Sequence, residues 1–269
     1  MASSSSASTA APLAQPNGSH PSSSTSSQPQ FDSIPSAISA LQAGEFVVVL
    51  DSEDRENEGD LIIPAANVTQ EQMAWLIKHS SGFVCISLHP ARIEELQLPM
   101  MYPNNEEPHK TAYTVTVDYR HGTTTGISAA DRSLTARKLS QSSGATASDF
   151  SRPGHLCPLR YTEGGVRVRM GHTEASVDLA VAAGFPAAAL LCELVDPDSK
   201  GGDIAARDAC FKFAREHGLK VVTIEALKRW REEREGPLKL SGGEGALDRQ
   251  RGVSLSEQKV VGPASGATQ

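Results

Sequence analysis

The apolar positions of this chain change rhythm repeatedly, and each change marks an element. Ile34, Ile38 and Leu41 recur at helical spacing behind Ser33, which can cap a helix start, and Gly44 ends the run. Residues 46–50 are then continuously apolar, as in a buried strand, and residues 61–64 repeat that signal on a shorter scale. Thr69 with Gln72 has the spacing of a capping box, followed by Met73, Leu76 and Ile77 on one helical face and a stop at Gly82. Strands are expected at 83–88, 113–119, 156–161, 165–170, 187–195 and 220–224. Helices are expected from near Ala129 and at 173–183, 204–217 and 225–235. Residues 99–110, with three prolines and paired Asn and Glu, read as an exposed excursion, and a lid is one use for it. This order predicts an α+β fold, a single domain with three α/β/α layers around a mixed, twisted sheet. The short link between 46–50 and 61–64 implies that these two strands pair antiparallel.

Composition narrows where that domain lies. The chain has 269 residues, and residues 1–30 hold eleven serines and no Asp, Glu, Lys or Arg. Such a segment cannot bury enough apolar surface to offset its ordering entropy, so a disordered Ser-rich tail is expected there. From 236 to 269 the apolar periodicity is lost again and a second disordered tail is expected, leaving 31–235 as the folded domain. The first Lys or Arg is Arg55, which fits neither a secretory signal nor an Arg-rich presequence; a cytoplasmic protein is expected, with a Ser-rich plastid leader as the alternative. No apolar run approaches the ~20 residues of a membrane span. A net charge of -7 argues against a general nucleic-acid grip, which needs a basic face to displace counterions. The four cysteines, Cys85, Cys157, Cys192 and Cys210, lack metal or redox spacing and read as reduced thiols.

Candidate chemistry concentrates in four polar clusters at strand ends or helix starts. Residues 51–60 carry seven charged side chains between two apolar strands. A charge run is usually a solvated loop, but carboxylates gathered beside a sheet call for a cation, a proton or both. The loop is not an EF-hand, whose sixth position is Gly where Glu56 stands. In an extended segment Glu56 and Glu58 would point to one side. His172 falls at a strand-to-helix transition and is either a structural cap or, with Glu56, a ligand set suited to Mg²⁺ or Mn²⁺. Arg169 and Thr173 beside a helix start are a phosphate candidate, and the alternative is that Arg167 and Arg169 alternate on a solvated strand. Residues 122–128 lack both the Walker lysine and the dinucleotide spacing, so Ser128 reads as an ordinary N-cap. Glu193 interrupts an apolar run and is either near the strand end or buried and paired.

Taken together, DRENEGD at 54–60, TTGISAADR at 124–132, RPGH at 152–155 and GHTEA at 171–175 resemble the 3,4-dihydroxy-2-butanone 4-phosphate synthases of riboflavin biosynthesis. The resemblance covers about 33–230 in unbroken motif order. It implies a lyase that converts D-ribulose 5-phosphate into L-3,4-dihydroxy-2-butanone 4-phosphate and formate through a metal-stabilised enediolate. It also implies Mg²⁺ or Mn²⁺, one or two ions per site, and a homodimer with sites near the interface. By the same carry-over Glu56 and His172 are the metal ligands, and Glu58, His155 and Glu193 are catalytic. The implied substrate contacts are Arg55, Glu56, Asp60, Cys85, Thr124 and the stretch Arg169, Met170, Gly171, His172 and Thr173, a segment that looks like the phosphate cradle.

Rival readings remain at this level. Another metal-assisted sugar-phosphate isomerase or aldolase would want the same acid cluster, and formate release separates it. An RNA-binding relative of similar fold is disfavoured by the acidic balance. A fused GTP cyclohydrolase half is not expected, because no cysteine follows residue 235.

Overall fold

The computed structural model describes residues 30–236 and Leu238. The two expected tails therefore lie outside the described residues, apart from Gln30, Gly236 and Leu238. The chain order is α1 (Ile34–Gln42), β1 (Val47–Leu50), β2 (Gly59–Pro64), α2 (Gln70–His79), β3 (Cys85–Leu88), α3 (Pro90–Glu95), β4 (Val117–Tyr119) and α4 (Ala129–Ser140). There follow β5 (Phe150–Arg160), α5 (His172–Ala182), β6 (Ala188–Glu193), α6 (Arg207–His217), β7 (Lys220–Thr223) and α7 (Ile224–Glu235).

Seven strands form one sheet in the order β4-β5-β3-β6-β2-β1-β7. β1 pairs antiparallel with β2 and parallel with β7, and β3 pairs parallel with β5 and antiparallel with β6, so the sheet is mixed as expected. Alternation along β1 divides the core: Val48 and Leu50 pack with α2, α4 and α6, whereas Val47 and Val49 pack with α1, α5 and α7. Helices on both faces cover strands that are buried throughout, which is why β1 and β2 carry continuous apolar runs.

The capping signals are realised. Ser33 accepts the Ser36 N–H at 3.2 Å, Thr69 and Gln72 form the reciprocal box, and Ser128 accepts the Asp131 N–H at 3.0 Å.

Several expected elements differ. Residues 165–170 are not a strand; Gly165–Arg167 is a single 3-10 turn. Gly164 and Gly165 both have positive φ, and the Asp178 carboxylate of α5 accepts the Val166 N–H at 2.9 Å, so the turn is pinned to a helix instead of a sheet. Arg167 consequently faces Glu235 at 2.8 Å and does not alternate with Arg169 on a strand. Of 113–119 only Val117–Tyr119 is a strand, with single bridges at Tyr113 and Thr114. β5 starts earlier than expected, running through Pro153 and Gly154, because a Cβ at Gly154 would sit 2.1 Å from the Val117 carbonyl carbon and only glycine permits that approach. The six-residue helix α3 carried too short a pattern to be read, and α6 begins at Arg207 because Ile204 bridges to Val195.

Candidate active site

The acidic loop between β1 and β2 is organised from below by Asp51, the residue just after β1. Its Oδ2 accepts the Glu56 N–H at 2.9 Å and an Arg55 Nη1 hydrogen at 3.0 Å, and its Oδ1 accepts the Glu58 N–H at 3.0 Å. Asn57 has φ of 54°, so the segment is a turn and not the extended strand that would set Glu56 and Glu58 on one side. Both nevertheless line one pocket, with Arg55, Asp60, Cys85, Thr111, Tyr113, His172, Thr173 and Glu193 among its walls. β2 delivers Asp60 directly opposite Glu193, the last residue of β6, and this pairing brings a third and a fourth carboxylate to the same floor. Glu193 thus stands at a strand end, half-buried, accepting the Ser81 hydroxyl hydrogen at 2.8 Å.

His172 opens α5 on the same face. Its Nε2 lies 3.1 Å from the Val49 carbonyl, an acceptor only, so Nε2 carries the proton and Nδ1 is left facing the acids. Nδ1 is 3.6 Å from Glu56 Oε2 and 3.9 Å from Asp60 Oδ1. One donor atom from each of Asp51, Glu56 and His172 falls within a common 4.8 Å. Asp60 Oδ1 is buried and accepts no hydrogen bond. An orphaned carboxylate oxygen, hard oxygen neighbours and an imidazole held in the ligating tautomer by a backbone carbonyl are the donor set that a divalent cation fits. The pocket therefore supports divalent metal binding.

The electrostatics agree with that fit. Burial drives Asp60 upward and Glu193, Glu56 and Glu58 add to it, so despite the pull of His172 its carboxyl reaches about 7. Burial would lower His172, but Asp60, Glu56 and Asp51 outweigh it and raise the ring to about 9, so without a cation Nδ1 also holds a proton, which metal binding would displace. Burial would raise Glu56, yet the nearby His172 ring and the adjacent Arg55 hold it at about 2. Glu58 is pushed up by burial and by Glu56 and Glu193. Crowding of like charge is a condition that a cation or shared protons relieve.

The phosphate candidates occupy the adjoining corner. Arg169 Nη1 meets the buried Glu174 at 2.5 Å, while Nη2 donates to the His109 carbonyl at 3.1 Å and to Thr111 Oγ1 at 3.0 Å. A Cβ on Gly171 would lie 2.2 Å from Arg169 Nη1, so glycine is what lets the guanidinium lie against the helix start. Gly171 is also the N-cap of α5 and supplies no side chain to the first-turn N–H groups, which leaves them available to an anion. Met170 packs partly buried beside α5, and Thr173 is buried in the pocket wall. The excursion at 99–110 reaches this corner through His109, whose Nε2 is 3.9 Å from Glu56 Oε1.

Not every candidate converges. Thr124 and His155 are exposed and outside that pocket. The Thr124 hydroxyl donates to Asp131 at 2.8 Å, and His155 faces Asp118. Register relates His155 to the pocket: β3 sets Cys85 against Leu191 on one side and Cys157 on the other, so His155 and Glu193, each two residues further, stand at the same end of the strands. They are two strand spacings apart, on the order of 10 Å. Asp51, Thr111 and Tyr113 were not singled out from the sequence. The acid directly after a buried strand was a usable signal for Asp51, and nothing local marks the other two.

Comparisons with known proteins fall on one family. Residues 35–230 match the sequence model of the 3,4-dihydroxy-2-butanone 4-phosphate synthases. The 3,4-dihydroxy-2-butanone 4-phosphate synthase of Schizosaccharomyces pombe is 50% identical over 198 residues, 74% of this chain and 96% of that protein. That of Pyricularia oryzae is 50% identical over 230 residues, 81% of this chain and 98% of that protein. A crystal structure of a 3,4-dihydroxy-2-butanone 4-phosphate synthase in complex with two magnesium ions superposes with a TM-score of 0.73 at 50% identity, covering 77% of this chain and all of that one. The family model, the relatives and the superposed structure agree, and the chain belongs to the 3,4-dihydroxy-2-butanone 4-phosphate synthase family.

Proposed function

We infer that this chain is a lyase of riboflavin biosynthesis that converts D-ribulose 5-phosphate to L-3,4-dihydroxy-2-butanone 4-phosphate and formate. The observation that carries the reading is the meeting of Glu56 and His172, 116 positions apart in sequence, across 3.6 Å in a pocket crowded with carboxylates, one of which, Asp60, keeps an orphaned buried oxygen. Glu56 and His172 would hold a divalent cation, with Asp51, whose donor atom lies within 4.8 Å of both, as an additional oxygen donor. Bound there, Mg²⁺ or Mn²⁺ supplies Lewis-acid stabilisation of the negative charge that develops on the substrate's oxygens. The relative solved with two magnesium ions and the breadth of the carboxylate cluster support two ions per site.

The chain's own residues supply the rest. The α5 N-terminus with Arg169 and Thr173 anchors the phosphate, with Met170 and Gly171 shaping its cradle, and this fixes the sugar carbons over the acid floor. Arg55 and Asp60 contact the substrate, and Cys85 lines its pocket. Abstraction of the proton next to the ketone gives an enediolate, and loss of water from C1, a skeletal shift and formate release each require further proton transfers. Glu58, Asp60 and Glu193 face this space. Asp60, whose carboxyl burial and the neighbouring acids push up, is a further acid–base group on this floor. His155 provides a further acid–base group, and Thr124 a further substrate contact.

A homodimer with sites near its interface fits the position of those last two residues. Two large apolar side chains are 50% and 51% exposed: Phe83, two residues before Cys85 and so at the same strand ends as His155 by register, and Ile127, three residues after Thr124. A second copy seated on them would bury that strip, and sedimentation or light scattering tests it. Among the described residues no helix is long and apolar enough to cross a membrane. A cytoplasmic enzyme acting on a small sugar phosphate, built on a folded domain at 31–235, is the reading in keeping with this. The deciding assay is formate release from D-ribulose 5-phosphate with and without EDTA. Formate that appears only with the divalent ion supports the assignment, and its absence in both conditions removes it.

A further inference from the structure

The edge of the sheet at β4 and β5 carries a second arrangement built for chemistry. Val117 pairs with Leu156 and Asp118 with Ser151, so residues 152–155 bulge out of β5 at the point where Asp118 stands. Asp118 then bonds to one residue twice. Its Oδ1 accepts the His155 backbone N–H at 2.8 Å, and its Oδ2 lies 2.6 Å from His155 Nδ1. The Asp118 side chain is 11% exposed and the His155 side chain 43%, so the carboxylate is shielded and the far side of the ring is open. Gly126, at φ of 92°, closes over the pair: a Cβ there would lie 2.0 Å from Asp118 Oδ2 and 2.7 Å from His155 Nδ1. The Gly126 turn is itself held by Asp131, which accepts the N–H groups of Thr124 and Gly126 at 3.0 Å each.

We propose that Asp118 is a positioning residue for the reaction, fixing His155 with Nδ1 protonated and Nε2 free to exchange a proton with the substrate. This rests on the reading, given above, that His155 takes part in catalysis. The double anchorage supports it: a carboxylate that only had to satisfy the bulged backbone would need the N–H contact alone, whereas here it also dictates ring orientation and tautomer. A carboxylate that accepts Nδ1–H leaves Nε2 as the basic lone pair and stabilises the imidazolium when the proton arrives.

The test uses Asp118→Asn, His155→Gln and the double variant of the full chain, with steady-state formate release from ribulose 5-phosphate and ¹⁵N spectra of the imidazoles. In Asp118→Asn the amide oxygen can still serve the backbone N–H, but the amide N–H faces Nδ1 and forces the opposite tautomer. The expected result is a fall in kcat of about 10² to 10⁴-fold, in the range for losing or misorienting a positioned acid or base. KM and the thermal shift caused by Mg²⁺ are expected to stay as in the parent, and the double variant to be no slower than His155→Gln. The His155 ring is expected to be Nδ1-protonated in the parent and Nε2-protonated in Asp118→Asn. Parental kcat in Asp118→Asn beside a strongly impaired His155→Gln overturns the inference and leaves the function of the site intact. Parental kcat in His155→Gln removes His155 from the mechanism and the inference with it. Should Asp118→Asn fold poorly, the parent spectrum alone decides, because an Nε2-protonated His155 there overturns the proposal.

Discussion

Replacing His172 by Ala separates the metal reading from every assay of turnover. His172 is 6% exposed, its Nε2 donates to the buried Val49 carbonyl, and its Nδ1 stands 3.6 Å from Glu56 and 3.9 Å from Asp60. The metal-free variant loses the Val49 bond at about 1 to 3 kcal/mol, the cost of leaving a buried acceptor unmade. Its response to the cation should change more characteristically. A cation at 100 times its Kd stabilises the parent by about 2.7 kcal/mol. Removing a ligand should cost at least the 10- to 100-fold typical of disturbing a ligand's supporting contacts. The same Mg²⁺ concentration then contributes only about 0.4 to 1.4 kcal/mol by the same relation. For a domain of about 200 residues, at roughly 2 to 4 °C per kcal/mol, the Mg²⁺-induced rise in Tm should fall from about 5–11 °C to about 1–6 °C. Differential scanning fluorimetry with EDTA and with Mg²⁺ reads this without substrate. A variant whose Tm rises with Mg²⁺ as much as the parent's would show that the ring is not a ligand, whatever its effect on activity.

Three further outcomes follow from the same geometry. Glu58→Gln should lower kcat about 10² to 10⁴-fold, the range for a positioned acid or base, while the midpoint of urea unfolding holds or rises because Glu56 and Glu193 lose a like-charged neighbour; near-parental turnover removes Glu58 from the chemistry. In EDTA, urea midpoints measured across pH should fall as pH rises from about 4 to about 9. The Asp60 contribution, with its carboxyl raised from 3.8 to about 7, is complete below 3.8 and lost through about 7; that of His172, raised from 6.5 to about 9, is complete below 6.5 and lost through about 9. Asp60→Asn should flatten the lower part of that slope, and an unchanged profile would contradict the burial of this carboxyl. Gly154→Ala should destabilise by more than the about 1 to 3 kcal/mol of ordinary overpacking, because the added methyl meets the backbone of β4 and not a yielding side chain; thermal unfolding within 1 °C of the parent would refute that.

Much of this molecule is written locally. The continuous apolar runs at β1 and β6, the capping residues Ser33, Thr69 and Ser128, and the helix ends at Gly44 and Gly218 follow from patterning and backbone preference, which depend on near neighbours in sequence. The acidic loop and the 171–175 motif were legible for the same reason, and their order along the chain was enough to name a family resemblance. What patterning could not supply is pairing over distance. The alternating run at 165–170 looked like a strand, but its partner is Asp178 of α5, and a tertiary hydrogen bond turned it into a helical turn. The approach of His172 to Glu56 and Asp60, the register that sets Asp60 opposite Glu193, and the bulge that hands His155 to Asp118 all depend on which strands lie side by side. Sequence alone determined the residue types and the elements that carry them. The sheet order decided which carboxylates share a buried floor, and burial together with mutual repulsion there gives Asp60 and His172 protonation behaviour that neither has in water.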